Sequence, residues 1–267
     1  MPSKIDQAVF KIPPSKFIEG KPLFIKEDSY VEMARDLHTG FIVRLKTFLR
    51  RFPKLYTFIF YVLAPALILG KHPGSIYKFV PVGGKVAEVG SGSRRLHPEI
   101  INVDIHPWRE VDVLADAHDL PFKDGTLDGI VSAWLLEHLE NPLQGIGEMK
   151  RVLKKGGHLY LSTNFLMPFH PSPHDYSRWT GEGLRSLFSD MEIVEEKPIT
   201  GPTASFLFIT QEWLALLLSF NISILRDLIW MFLVAATFPI KILDLILIHY
   251  RAAEYISSGF YIIAKKK

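Results

Sequence analysis

Between residues 84 and 200 the chain alternates short apolar runs with longer mixed stretches. Val86–Val89, Ile101–Ile105, Val111–Leu114, Leu127–Ala133 and His158–Thr163 are rich in Val, Ile and Leu, and each is bounded by turn residues or charge. Runs of this length and composition predict strands buried on both faces of a sheet. Residues 134–153 read as one helix that stops at Lys154-Lys155-Gly156-Gly157, and Gly183–Phe188 as a second, short one. Met191–Glu196 and Gly259–Ala264 complete the strands. Strands joined by crossovers predict an α/β fold, a Rossmann-like, mostly parallel seven-stranded sheet with helices on both faces.

Outside this core the pattern changes. Residues 1–28 hold four prolines and little periodicity, which predicts an irregular arm lying on the surface. Ser29–His38 predicts a short helix closed by Gly40. Phe41, Ile42, Leu45, Phe48, Leu49 and Phe52 share one helical face, with Arg44, Lys46, Arg50 and Arg51 between them. Such a helix either packs on the domain or lies on an anionic membrane. Three uncharged runs follow: Leu55–Gly70 with sixteen residues, and Trp213–Leu225 and Leu228–Ile240 with thirteen each. All fall short of the ~20 residues that a spanning helix needs, and Arg226, Asp227, Lys241 and Asp244 interrupt the pattern. They predict interfacial or half-buried helices, a helical pair that dips into one leaflet with Arg226-Asp227 at its turn, or a greasy lid over a site. The organisation expected is an N-terminal arm with apolar helices (1–80), a core (81–203), a hydrophobic helical insert (204–255) and a last core strand (256–267).

Composition narrows the chemistry. The 267 residues contain no cysteine, which excludes disulfides, zinc-thiolate centres and thiol catalysis. A formal charge of +3, without a basic stripe in the core, gives no reason to expect nucleic acid. The opening Met-Pro-Ser-Lys-Ile-Asp lacks the regions of a signal peptide, so a cytoplasmic face is expected.

The first strand ends in Glu88-Val-Gly-Ser-Gly92, and the second ends on Asp104. Glycines let the backbone turn tightly beside a ligand, and a carboxylate at the next strand tip suits a ribose diol. Together they point to a nucleoside cofactor. A second concentration of polar groups follows the fifth strand, where His170, His174, Asp175, Tyr176 and Arg178 crowd into a stretch stiffened by three prolines. Histidine suits general-base work at neutral pH, and a neighbouring carboxylate orients and charges it. The alternative is that these groups tie down the proline-rich loop. Two histidines and a carboxylate are nominal metal ligands, but the proline spacing argues against one helix face, and no metal is expected. His138 is a further candidate base.

Six segments occur in order: Val86-Ala-Glu-Val-Gly-Ser-Gly-Ser93, Asn102-Val-Asp-Ile105, Ala115-Asp-Ala-His-Asp-Leu-Pro-Phe122, Leu127-Asp-Gly-Ile-Val-Ser132, Leu136-Glu-His-Leu139 and Arg151-Val-Leu-Lys-Lys-Gly-Gly157. On these the chain resembles the class I S-adenosylmethionine-dependent methyltransferases, nearest the group of ubiquinone/menaquinone-biosynthesis enzymes. The resemblance implies that Glu88, Gly90, Ser91 and Gly92 form the loop under the methionine portion of the cofactor. It further implies that Asp104 holds the ribose, Ile105 packs on the adenine, and Asp116 and Ala117 meet its amino edge. Ala133 and Trp134 would line the methionine side. It places His170, His174, Asp175 and His138 as catalytic candidates facing the methyl group, and Tyr176 and Arg178 as acceptor contacts. The His170-Pro-Ser-Pro-His-Asp-Tyr176 pattern is similar to methyltransferases associated with cell-surface polysaccharide synthesis, which implies a sugar hydroxyl on a lipid-linked or other membrane-associated acceptor. Carbon methylation of a quinone-type lipid and a non-catalytic membrane-bound scaffold are the alternatives.

Two departures from the family's pattern stand out. Ser93 replaces a usual third glycine, and only eight residues separate Gly92 from Ile101, too few for a crossover helix. Another part of the chain is expected to cover that face of the sheet. Asp128 reads as a structural bridge beside a strand start.

Overall fold

The computed structural model describes residues 7–25, 66–170 and 174–267. The helices expected over Ser29–His38 and Phe41–Phe52, and most of the Leu55–Gly70 run, lie outside these residues. The strands are β1 (Lys16–Ile18), β2 (Lys21–Leu23), β3 (Val86–Val89), β4 (Ile101–Asp104), β5 (Val113–Leu114), β6 (Leu127–Ala133), β7 (Leu153–Asn164), β8 (Glu192–Pro198) and β9 (Gly259–Lys265). They form one sheet in the order β1-β2-β5-β4-β3-β6-β7-β9-β8. From β5 to β7 every pairing is parallel, and β9 runs antiparallel between β7 and β8.

The sheet has nine strands rather than seven because the arm is not wholly irregular. Residues Ile18-Glu19-Gly20-Lys21 close a two-residue hairpin with φ of 50° at Glu19 and 77° at Gly20. Two consecutive positive φ values match the twist of the flanking strands. The hairpin adds β2 alongside β5, with Leu23 opposite Leu114, and Phe10 packs between Phe24 and Phe122.

Alternation along the central strands makes both faces apolar, as a parallel sheet requires. One face carries Ala87, Val89, Ile130, Leu159 and Leu161. Against it lie α1 (Pro142–Val152), through Ile146, Met149 and Val152, and α2 (Gly181–Leu187), through Leu184. The helix expected over 134–153 is shorter and preceded by a break. Trp134 has φ 60°, a 3-10 turn covers Leu136–His138, and α1 begins only at Pro142. Asn141 accepts the Gln144 N–H at 3.2 Å, and Pro142 occupies the first helical position, a start signal at the level of local sequence.

The opposite face carries Val86, Val131, Tyr160 and Ile263. No helix joins β3 to β4, in keeping with the eight-residue gap. A 3-10 turn over Pro73–Lys78 covers this face instead, with Ile76 fully buried and Tyr77 and Phe79 packed beside it. The short connection is stapled by Arg95, which donates to the Ile100 carbonyl at 2.9 Å, to Glu110 at 3.1 Å and to Asp112 at 2.9 Å. Residues at the end of the Leu55–Gly70 run are extended rather than helical, since Ile68 forms an antiparallel bridge to Thr200. Asp128 accepts from the Lys85 N–H at 2.9 Å and from Lys154 Nζ at 2.7 Å, which ties the starts of β3, β6 and β7 together.

Between β8 and β9 the insert forms an antiparallel pair, α3 (Pro202–Leu218) and α4 (Ser223–Thr237). The turn therefore falls at 219–222, and the expected turn residues Arg226 and Asp227 lie inside α4, paired with Glu212 and with each other. A 3-10 turn then leads into α5 (Asp244–Leu247). The expected interruption of the apolar pattern by Lys241 and Asp244 does not break the helical path, because both side chains turn inward. Asp244 is fully buried and accepts the N–H groups of Thr203 and Ala204 at 2.8 and 3.0 Å, capping α3. A Cβ at Gly201 would lie 2.3 Å from that carboxyl carbon, so only glycine fits there. Ser223–Leu247 is thereby a helical stretch of 25 residues, by length and composition enough to cross a membrane.

Candidate active site

The tips of β3, β4, β5, β6 and β7 meet at the carboxyl edge of the sheet, where the order reverses between β4 and β6 on either side of β3. Open α/β sheets take ligands there. Gly90 and Gly92 have φ of 74° and 59°, a backbone conformation that side chains rarely adopt. Their loop is sewn to β4: the N–H groups of Gly90 and Ser91 donate to the Val103 carbonyl at 2.9 and 3.2 Å, and Gly92 donates to Asp104 Oδ2 at 2.8 Å. Asp104 Oδ1 accepts from His106 N–H at 2.8 Å. Burial pushes the Asp104 carboxyl up, while the N–H groups of His106 and Gly92 draw it back down.

Asp104 is thus fixed at its rotamer by two backbone donors, each of which uses only part of an oxygen's acceptor capacity. A diol donating to the remaining lone pairs fits this group. Space for a ligand fits too, since among the described residues a Cβ at Gly92 would meet nothing within 4 Å and the buried Ser91 hydroxyl has no hydrogen-bond partner. A nucleoside with a ribose diol matches the residues present.

Glu88 lies at the base of the loop, near the end of β3. It is fully buried, and its Oε1 accepts from Arg94 Nε and Nη2 at 3.1 and 2.7 Å. Burial pushes its carboxyl up and the Arg94 guanidinium opposes that. Arg94 stands in the shortened crossover, so this pair braces the glycine loop from beneath. Ile105 packs toward Leu23, Val111 and Leu114.

After β5, Asp116 Oδ1 accepts from the His118 N–H at 2.8 Å and sits 2.7 Å from His118 Nδ1. His118 Nε2 accepts from Asn141 N–H at 3.4 Å, so Nδ1 carries the proton and donates to Asp116. The neighbouring Ala117 is buried. Ala133 is buried at the end of β6, and Trp134 donates its N–H to the Ser162 carbonyl at 3.0 Å. A bulky residue in the left-handed region persists only where its surroundings enforce it, and such strain concentrates at functional sites.

The stretch after β7 folds back over the Leu136–His138 turn. Tyr176 N–H donates to the Glu137 carbonyl at 2.8 Å, and Trp179 N–H to the Asn164 carbonyl at 3.0 Å. His138 Nδ1 meets the His174 carbonyl, and the His138 and His170 rings lie 5.8 Å apart. The His138 and His170 rings and the His174 backbone are therefore gathered at one place.

The expected His174–Asp175 pair is not formed. Asp175 instead receives the guanidinium fork of Arg178 and the His170 N–H at 2.6 Å. Burial acts to raise its carboxyl, and the Arg178 fork together with the His170 N–H holds it below the usual carboxylate range. Arg178 also donates to the Pro168 carbonyl at 3.0 Å, so Asp175 and Arg178 lock the loop. A planar fork engages both carboxylate oxygens, and with the His170 N–H added it takes Asp175 away from the imidazole beside it in sequence. His174 packs on Tyr176, with ring centroids 5.5 Å apart, and both side chains are exposed.

Three residues that contact the candidate site have no counterpart among the expected ones: Arg94, His118 and Glu137. Glu137 is fully buried, accepts from Asn164 Nδ2 at 2.7 Å and Thr163 Oγ1 at 3.1 Å, and is pushed up by burial. Its one signal in the chain is a carboxylate set among the apolar residues Leu135, Leu136 and Leu139.

Comparison with known proteins bears on this geometry. Residues 90–161 match a family described as a methyltransferase domain. An uncharacterized 37.1 kDa protein in a transposon of Streptomyces fradiae is 33% identical over 100 residues, covering 36% of this chain and 29% of that protein. A biotin biosynthesis bifunctional protein of Teredinibacter turnerae is 48% identical over 50 residues, covering 19% of this chain and 9% of that protein. The chain thus spans less than a third of the length of these curated relatives. The crystal structure of a putative methyltransferase from Bacillus halodurans aligns over 74% of this chain and 99% of its own, with a TM-score of 0.44 and 16% identity.

Proposed function

We propose that this chain, which carries a class I S-adenosylmethionine-dependent methyltransferase domain, methylates a hydroxyl of a lipid-linked or other membrane-associated acceptor, such as a glycan, at the cytoplasmic face of a membrane. Asp104, the Gly90–Gly92 loop and the Asp116 loop hold the cofactor, and the 164–180 loop holds the acceptor. S-adenosylmethionine, when bound, supplies an electrophilic methyl group on a sulfonium.

The observation that carries the reading is the contact of His138 Nδ1 with the His174 carbonyl. A carbonyl only accepts, so Nδ1 bears the proton and Nε2 of the neutral ring keeps its lone pair. With the cofactor bound, His138 Nε2 would take the hydroxyl proton as the acceptor oxygen bonds to the methyl carbon, the carbon–sulfur bond breaks and S-adenosylhomocysteine leaves. Glu137, beside it, feels the charge of both His138 and Arg178, and in ionised form it stabilises the imidazolium that results. His170 and His174 flank this base, while Asp175 and Arg178 act by positioning the loop. Tyr176, exposed on the same loop, contacts the acceptor.

The test is incubation of membranes and lipid extracts with methyl-labelled S-adenosylmethionine and the purified protein. An O-methylated, lipid-extractable glycan is expected. A label on a ring carbon of a quinone-type lipid would replace this acceptor with the alternative one, and no labelled product beside intact cofactor binding would leave the scaffold reading.

A further inference from the structure

The insert leaves the sheet after Pro198 of β8 and returns at Gly259 of β9. Because β8 and β7 both run antiparallel to β9, these two points lie at the carboxyl edge of the sheet, beside the acceptor loop. The junction is direct: Ile199 N–H donates to the Gly259 carbonyl at 2.9 Å, and Phe165 N–H to the Ser258 carbonyl at 2.8 Å. The helical pair therefore rises from the rim of the site.

The charged groups of α3 and α4 are spent on each other. Arg226 bridges to Glu212 at 2.6 Å and to Asp227 at 3.2 Å, Gln211 donates to Thr237 at 2.7 Å, and Asp244 caps α3. Lys241 Nζ lies 4.4 Å from the centroid of the Phe238 ring. What faces outward is apolar. On α3, Phe206, Ile209, Trp213 and Leu216 recur at i, i+3, i+7 and i+10, each half or more exposed. On α4, Ile224, Leu228 and Phe232 do the same at i, i+4 and i+8, and Phe220 at the turn between the helices is 83% exposed. At roughly 100 Å² or more for each such side chain, the surface exceeds the few hundred Å² of the largest apolar patch on an ordinary monomer.

The form of this surface identifies its occupant. Val234 is the one buried residue of α4, eight others are half-buried, and the exposed Ile224, Leu228, Phe232, Ala235 and Ala236 share one face. Exposed apolar residues continue beyond it through Ile242, Leu245 and Ile246, so the surface follows a helical stretch of 25 residues, a length that matches the hydrocarbon layer of a bilayer. Such a layer covers this face, the α3 stripe and Phe220 together. Tyr250 and Tyr255, exposed where the insert returns to the sheet, suit the boundary between lipid and water.

We propose that the α3–α4 hairpin docks the protein into a phospholipid bilayer, entering and leaving on the side of the catalytic domain. Ser223–Leu247 is long enough to cross, but α3 runs antiparallel to it and both ends of the insert are fixed to one sheet edge, so the hairpin dips in and returns. Docking holds the acceptor loop at the headgroup layer. This use of the hairpin rests on the acceptor reading above; the docking itself does not.

Flotation of the full chain with phosphatidylcholine vesicles tests it. The protein is expected to float at both low and high salt, because hydrocarbon burial rather than charge holds it. A Leu216→Glu, Phe232→Glu double variant is expected to lose at least tenfold in bound fraction while keeping its affinity for S-adenosylmethionine in calorimetric titration. Independently of any variant, brominated-chain lipids are expected to quench Trp213 and Trp230 fluorescence. Wild-type protein that stays at the bottom without quenching overturns the proposal, as does a folded double variant that floats like wild type. A detergent-free oligomer that the double variant dissociates, with no flotation of either, assigns the surface to self-association instead. Loss of cofactor affinity in the wild type would count against the methyltransferase reading and leave the docking result standing.

Discussion

The two halves of the site share one sheet edge but are held by different means. On the cofactor side the anchoring donors are backbone N–H groups close in sequence: Gly92 and His106 to Asp104, and His118 to Asp116. On the acceptor side the anchors are side chains far apart in the chain or paired charges: Asn164 and Thr163 to Glu137, His138 to the His174 carbonyl, and Arg178 to Asp175. Backbone donors are indifferent to most side-chain changes, although the Asp104 carboxyl that they hold is itself buried and pushed up. Carboxylates buried among side chains respond to single substitutions and to pH. On the proposed reading, substitutions in the acceptor half are expected to act on turnover and those in the cofactor half on affinity.

That division breaks most visibly through turnover. His138→Ala is expected to cut methyl transfer by roughly 10²-fold or more while leaving S-adenosylmethionine affinity within a factor of about two. A labelled-methyl assay beside calorimetry reads both, and unaltered turnover would remove the base from the acceptor half. Next in size is Asp104→Ala, which leaves ligand donors unpaired at a cost of about 1–3 kcal/mol, roughly 10- to 100-fold in Kd. Its own folding also loses the Gly92 and His106 anchors, so melting is measured alongside to keep the two effects apart.

Asp175→Asn sharpens the comparison from the other side. Breaking the fork to Arg178 is expected to destabilise the protein by about 1–3 kcal/mol and to raise the KM for acceptor, with cofactor affinity unmoved. A cofactor Kd that shifts with the acceptor KM would join the two halves into one unit.

The smallest effect is in pH. The Asp175 carboxyl is held below its ordinary value, so its contribution is present above the unfolded pKa and disappears as pH falls through the folded one. The stability gap between wild type and Asp175→Asn should therefore narrow below about pH 4. Glu137 has the opposite sign: its folded pKa is raised, so the wild type loses stability as pH climbs from the ordinary glutamate value through the folded one. Glu137→Gln should gain on wild type over that rise. Urea melts at pH 4 and pH 7 compare the pairs, and parallel behaviour of the two variants would contradict the assignment of signs.

The same contrast explains what could be read from the chain. The strands from Val86 to Asn164 and the short crossover were legible because burial on both faces and local turn chemistry write themselves into adjacent residues. The Asp175–Arg178 lock was not, since both residues stand in the crowded stretch and nothing local says that the guanidinium outcompetes the imidazole at His174. Glu137 was missed because its partners lie 26 and 27 residues away. The β1–β2 hairpin escaped notice behind prolines at 13, 14 and 22, although Glu19-Gly20 is a turn signal between two short apolar-containing runs. The insert's charges looked like interruptions in sequence and proved to be internal caps and bridges, a distinction that only the packing of α3 against α4 decides.

The central claim is that the strand tips bind cofactor independently of the acceptor loop. Calorimetric titration of S-adenosylmethionine into wild type, Asp104→Ala and His138→Ala, each confirmed folded, tests it directly. The account predicts saturable binding to wild type, a Kd weakened roughly 10- to 100-fold in Asp104→Ala, and wild-type affinity in His138→Ala. Equal affinity in wild type and Asp104→Ala, or no binding to wild type at all, would contradict it.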